Sequence, residues 1–260
     1  MDFLTSLPAG VTVIAWLAIT VSVALGARIA VRALVPPAER DQVPPVVAPL
    51  VPALGAAFGI LMALTVTSEA GYLKTAQETV SAEAAAASRL AWAATTPGIQ
   101  AAEIQAPLTD YLGATSSKEW DGDDESGDAD VAAILVTLER AVRTQASSST
   151  VSTPQATELL TALDSLTSQR RSRLDAATRN IPLIYVITLI TSGLALVATA
   201  GALGVRSGRR VSSLVLGLAL VVGLSLALMF SITAPWRGPL TVGTGAIDSI
   251  IDGLQAGIFR

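Results

Sequence analysis

Cysteine and histidine are absent from this 260-residue chain, and lysine occurs only at Lys74 and Lys118. Without thiols there is no disulfide framework, thiolate metal site or redox pair. Without imidazole there is no Ser-His-Asp or Cys-His catalysis and no histidine-ligated zinc or haem, since each needs that ring as base or ligand. Charge is scarce too: Asp, Glu, Lys and Arg make up 15% of the residues, against about 25% in an ordinary globular domain. Apolar length takes its place. Residues 3–27, 42–68, 181–205 and 211–236 contain no Asp, Glu, Lys or Arg, and mean hydropathy is +0.57. At about 1.5 Å per helical residue, roughly 20 apolar residues cross a hydrocarbon layer about 30 Å thick, so each run is long enough to span a bilayer.

The pattern predicts an all-α, four-span helical membrane protein with a helical extramembrane insert between spans two and three. Its expected parts are a first pair of spans (1–68), the insert (69–180), a second pair of spans (181–236) and an amphipathic C-terminal tail (237–260). Met1–Pro8 lacks the basic flank of a cleavable signal, so the first run is expected to remain as a span. Pro44 and Pro45 suit the first turn of the second span. Strong helix formers continue past Ser68 through the Ala84–Ala87 run until Thr95, Thr96, Pro97 and Gly98, which predicts one long helix leaving the membrane.

Within the insert the spacing predicts a short helix near 99–113 and an acidic loop from Glu119 to Asp130. Next comes a helix carrying Val131, Ile134, Leu135, Leu138 and Val142 on one face. Pro154 opens another, with Leu159, Leu163, Leu166 and Leu174 near one stripe and Ser152 with Gln155 as a capping box. Arg206–Arg210 is short enough to be a tight hairpin. Ile247, Ile250, Ile251 and Leu254 form an amphipathic stretch suited to the membrane surface or to the bundle.

Charge is unevenly placed. Residues 69–180 hold sixteen acidic against nine basic residues, so the insert would repel phosphates and nucleic acid is not an expected partner. The 28–40 and 206–210 loops carry three arginines each and fall on the same side of a four-span chain. The excess of basic residues on cytoplasmic loops places them inside, which puts both termini and the insert outside a multi-pass cell-membrane protein.

Several stretches together resemble the bacterial bestrophin-like family. They are Gly55-Ala56-Ala57-Phe58-Gly59 through Ala63 and Val66, the Glu83-Ala84 pair followed by Leu90 and Pro97, and Tyr111 with Glu119-Trp120. Arg170 to Leu174 leading into Ile181-Pro182, and Pro235-Trp236-Arg237-Gly238-Pro239, complete the set. The resemblance covers most of the chain and implies, by analogy with bestrophins, an anion channel in which four-span subunits surround a shared pore. Bestrophins place their large soluble part in the cytoplasm and bear an acidic calcium clasp after the last span. Here the acidic cluster lies in the insert and the loop charges point to the opposite sidedness, so neither calcium gating nor pore residues carry over.

Gly55 and Gly59 form a GxxxG in an apolar helix, which admits close helix packing. Were that helix to line a pore, Phe58, Leu61 and Met62 would form an apolar constriction. Asp121, Asp123, Asp124, Glu125, Asp128 and Asp130 suggest calcium, but Ser126 and Ala132 stand where an EF-hand loop needs Gly and Glu, and a solvated loop fits better. Glu69, Glu78 and Glu83 on the extension of span two are candidates to pair with Arg170, Arg171, Arg173 and Arg179 on the helix entering span three. The alternative is that these arginines attract anions. Gly243 and Gly245 lack the rest of a dinucleotide fingerprint, and there is no GxxxxGK or SxxK sequence.

The expectation is therefore a channel-like or transport-related homo-oligomer in the lipid bilayer, with neither enzymatic activity nor a cofactor. The alternative is a non-conducting scaffold that binds a protein partner through its insert. The apolar runs contain no ionisable group of the kind a proton-coupled transporter needs.

Overall fold

The computed structural model describes residues 9–120, 125–177, 183–206, 209–232 and 242–260. The acidic centre at 121–124, the Asn180–Pro182 entry to span three, Arg179 and the Pro235–Pro239 break lie outside the described residues. Among the described residues the chain is all-helical, with no strands. The helices are α1 (Ala9–Leu34), α2 (Val43–Val47), α3 (Leu50–Ala93), α4 (Ala101–Ala114), α5 (Glu125–Ala146), α6 (Thr153–Ala177), α7 (Leu183–Leu203), α8 (Arg209–Ile232) and α9 (Gly245–Gln255). Helices α1, α3, α7 and α8 are long and apolar enough to cross a membrane.

The second span does not run unbroken from Pro44. Helix α2 carries Pro44 and Pro45 in its first turn, and the chain turns at 48–49 before α3 begins. Pro52 supplies the reason: it has no N–H for the carbonyl of Ala48, and its ring would strike that carbonyl in a continuous helix. From Leu50 the helix then runs for 44 residues, about 66 Å. It stops at Ala93, and the turn after it is set by Gly98 at φ +93°, a position at which a Cβ would lie 2.5 Å from the Thr150 carbonyl oxygen. Thr150 Oγ1 donates to the Gly98 carbonyl at 2.9 Å and closes this corner.

The chain divides into two compact units whose boundary falls within α3, at Tyr72 and Leu73. The first unit holds α1, α2, the first half of α3, α7 and α8. Its core joins Trp16, Phe58, Leu189, Leu196, Leu226 and Phe230, with Trp16 stacked on Phe230 at 5.0 Å. Glycines at two helix crossings make this packing close. A Cβ on Gly201 would lie 2.3 Å from the Ala24 carbonyl oxygen, and one on Gly223 would lie 2.7 Å from Thr20 Oγ1. In lipid, where water does not drive helices together, such close backbone approach is a main source of association.

The second unit holds the rest of α3, α4, α5, α6 and α9. Its helices bury stripes read directly from the period: Ala76, Val80, Ala87 and Leu90 on α3; Ile104, Leu108 and Tyr111 on α4; Val131, Leu135, Leu138 and Val142 on α5; Leu159, Leu163 and Leu166 on α6. Leu174 is only half-buried. Gln155 Oε1 accepts the Ser152 backbone N–H at 2.9 Å, one arm of a capping box at the start of α6. The predicted acidic loop is shorter than its charge pattern suggests. Thr115–Glu119 continues α4 as a π-turn, and Glu125 already belongs to α5. The C-terminal amphipathic stretch forms α9, with Ile247 fully buried and the helix packed against α4, so its apolar face is covered by the bundle.

Candidate functional site

Two places gather chemically distinctive residues, one in each unit. In the second, α3 and α6 each present a core stripe with a charge in it. On α6 the stripe Leu159, Leu163, Leu166 continues at the same four-and-three spacing to Arg170 and Arg173. On α3 the stripe through Ala76 and Val80 reaches Glu83 before Ala87. Glu83 is fully buried, and Arg173 is 2% exposed.

The burial is compensated by pairing. Arg173 Nε donates to Glu83 Oε2 at 2.5 Å, and its Nη2 donates to Glu119 Oε2. Arg170 Nη2 donates to the other oxygen of Glu119 at 2.5 Å, and the Glu119 side chain is 1% exposed. The remaining oxygen of Glu83 accepts the Tyr111 hydroxyl. Two carboxylates thus meet two guanidinium groups, with no net charge left in the interior. Burial alone would lower the Arg173 pKa, but the charges and hydrogen bonds of Glu83 and Glu119 outweigh it and hold it above the ordinary arginine range. Burial, then the Glu83 charge, pushes the Tyr111 hydroxyl well above its usual value.

The π-turn extends this cluster to the C-terminal segment. Trp120 lies under the Arg173 guanidinium at 5.3 Å and donates its indole N–H to the Val242 carbonyl at 2.6 Å. Ser116 donates to Asp248 at 2.8 Å, and Gln105 donates to the Phe259 carbonyl at 2.9 Å. Selection by charge alone misses Glu119 and Tyr111 and includes three residues placed elsewhere, of which Glu69 is buried in the first unit. Glu78 is exposed and pairs with Lys74 at 3.7 Å, while exposed Arg171 donates to the Thr167 carbonyl. The stripe spacing is the signal that marks Glu83, Arg170 and Arg173 as interior.

In the first unit, α3 is the span least covered by its own chain. Phe58 turns into the core, 6% exposed, against α7, where a Cβ on Gly193 would lie 2.9 Å from its ring. Met62 and Leu61 are half-buried against the same core. Gly55 has ordinary contact with Leu196, and Gly59 has nothing within 4 Å of a built Cβ. The uncovered face carries Ala53, Ala56, Gly59 and Ala63, flanked by Ile60 and Leu64, each 63% exposed. Among the described residues no group of His, Cys, Asp or Glu is arranged to hold a metal ion.

A model of the bestrophin-like domain matches residues 18–247. The chain belongs to the bestrophin-like family. This bestrophin-like chain is a membrane protein with four candidate spanning helices. Its fold is similar to that of a bacterial bestrophin homologue from Klebsiella pneumoniae carrying a point mutation, with a TM-score of 0.72 and 14% identity. That alignment covers 94% of this chain and 99% of the other, and at such identity it establishes the fold. No curated protein matches the bestrophin-like chain in sequence.

Proposed function

We propose that this bestrophin-like chain is the subunit of an anion-conducting homo-oligomeric channel in which the uncovered face of α3 borders the pore. The observation carrying this reading is the contrast along α3: Phe58 faces inward while Ala53, Ala56, Gly59, Ile60, Ala63 and Leu64 are left uncovered by the subunit. Small side chains on a spanning helix permit close approach of a neighbouring helix, and a pore lined by small and apolar residues needs no ionisable group. The apolar runs contain no Asp, Glu, Lys or Arg, which disfavours a proton-coupled transporter. The preference for anions rests on family membership.

On this reading Ile60 and Leu64, one turn apart, are the apolar constriction, in place of the inward-facing Phe58 and Met62. Chloride efflux from liposomes containing the purified full chain tests the proposal. Leu64→Ala and Ile60→Ala raise the flux at equal protein load, while Phe58→Ala lowers thermal stability without widening the pore. Oligomers that release no chloride, with every variant equally silent, refute conduction and favour a scaffold. Equal flux from Leu64→Ala and wild type refutes the assigned constriction.

A further inference from the structure

We infer that the arginine-rich end of the first unit is a binding site for the phosphate of an anionic phospholipid head group. The inference uses only the membrane location of the chain and does not depend on conduction. Arg28 and Arg32 lie one turn apart on α1; Arg28 reaches the first turn of α8 and Arg32 the α7–α8 connection. Arg28 Nη1 donates to Ser212 Oγ at 2.9 Å, and Arg32 Nη2 donates to the Val205 carbonyl at 3.2 Å. Arg40 folds back onto the end of α1, donating to the carbonyls of Val35 at 3.0 Å and Arg32 at 2.7 Å. In sequence Arg206 lies in that connection, and Arg209 and Arg210 open α8.

Arg28, Arg32 and Arg40 therefore share one end of the bundle with the carboxylates Glu39 and Asp41. Among the described residues neither Arg32 nor Arg40 enters an ion pair; their described acceptors are neutral carbonyls. Those bonds fix the guanidinium groups without neutralising them, and each group keeps several of its five N–H donors. Arginines at i and i+4 on one helix face repel each other, more so where the surroundings are apolar. An anion held among them removes that cost, and the planar guanidinium fork suits phosphate oxygens.

The source of the phosphate follows from what lies beside the charges. Leu25 and Ile29 on the same helix are 53% and 65% exposed, on the span side of Arg32. A lipid satisfies both features at once, head group on the arginines and chains on Leu25 and Ile29, whereas free phosphate satisfies one.

The test is retention of lipid by the purified full chain, measured by native mass spectrometry and by the thermal-stability shift on adding dioctanoyl phosphatidylglycerol, dioctanoyl phosphatidylcholine or inorganic phosphate. The wild type retains phosphatidylglycerol in preference to phosphatidylcholine and is stabilised by it alone. Arg32→Gln with Arg40→Gln weakens that binding about 25-fold, from roughly fivefold per arginine near an anionic head group. Arg171→Gln, an exposed arginine of the second unit, leaves it unchanged. If the double variant does not fold, the wild type decides by itself: its phosphatidylglycerol preference must fall as sodium chloride rises. Equal retention of the two lipids, retention by a folded double variant equal to wild type, an unchanged preference at high salt, or an equal shift with inorganic phosphate overturns the inference.

Discussion

Removing Glu83 is the sharpest perturbation of the second unit. Breaking a buried ion pair by deleting one partner costs about 3–5 kcal/mol, because the other charge remains in the interior. Glu83→Ala leaves the Tyr111 hydroxyl without its acceptor and takes one of Arg173's two carboxylates. The cluster then holds two guanidinium groups against Glu119 alone, one positive charge in excess. Since Arg173 keeps its bond to Glu119, the loss falls near the lower end of that range, about 3 kcal/mol. In a chain of this size it lowers the melting temperature by roughly 6–12 °C. The assay is thermal unfolding of the detergent-solubilised full chain followed by circular dichroism. Glu78→Ala serves as the control, since it removes a surface pair and is expected to cost less than about 1 kcal/mol. Glu83→Leu combined with Arg173→Leu leaves a neutral Glu119–Arg170 pair and is more stable than either single variant. A Glu83→Ala protein that melts with Glu78→Ala, or a double variant worse than the sum of its parts, would falsify the charge accounting.

The Tyr111 hydroxyl gives a pH dependence with a definite sign. Its folded-state pKa lies above the ordinary value of 10.0, so the folded chain holds that proton more tightly than the unfolded one. Its stabilisation is complete below about pH 10 and is lost as pH rises beyond it. Absorbance titration should show the Tyr111 phenol ionising only as the fold is lost, and Tyr111→Phe should flatten the alkaline loss. Gly201→Ala forces a methyl against the Ala24 carbonyl and is expected to cost about 1–3 kcal/mol in thermal melts. Gly59→Ala meets nothing in the subunit and gains helix propensity, so its subunit stability holds or rises; a drop would mean that α3 is covered within the chain. Trp120→Phe removes the bond to Val242 and keeps the ring under Arg173, which should leave the helix content intact and speed proteolysis of residues 242–260.

Much of the fold was legible because its determinants are local. Charge-free runs longer than about 20 residues need no knowledge of neighbours to be read as spans, and the Ala84–Ala87 run needs none to extend α3. Gly98 and Pro52 act through their own backbone restrictions, and only Pro52's effect escaped the periodicity, because one missing N–H outweighs an otherwise apolar pattern. The bestrophin-like resemblance was likewise carried by stretches of sequence in order.

Partnership was a different matter, since a charged residue carries no label for the group it will meet. Glu78 and Glu83 are equivalent in type and close in sequence, yet one is solvated with Lys74 and the other sits in the core under Arg173. Arg170 and Arg173 fall on the stripe begun by Leu159, while Arg171 falls off it, and only packed helices turn that spacing into burial. Along α3 the tertiary structure also chose which side of the GxxxG helix is covered, sending Phe58 inward and leaving Gly59 open. Composition and period thus determined that this chain makes four membrane-length helices and an α-helical insert, because length and apolarity act residue by residue. Which charges are buried, and which face of α3 stays free, depended on side chains distant in sequence arriving in register, which only tertiary packing decides.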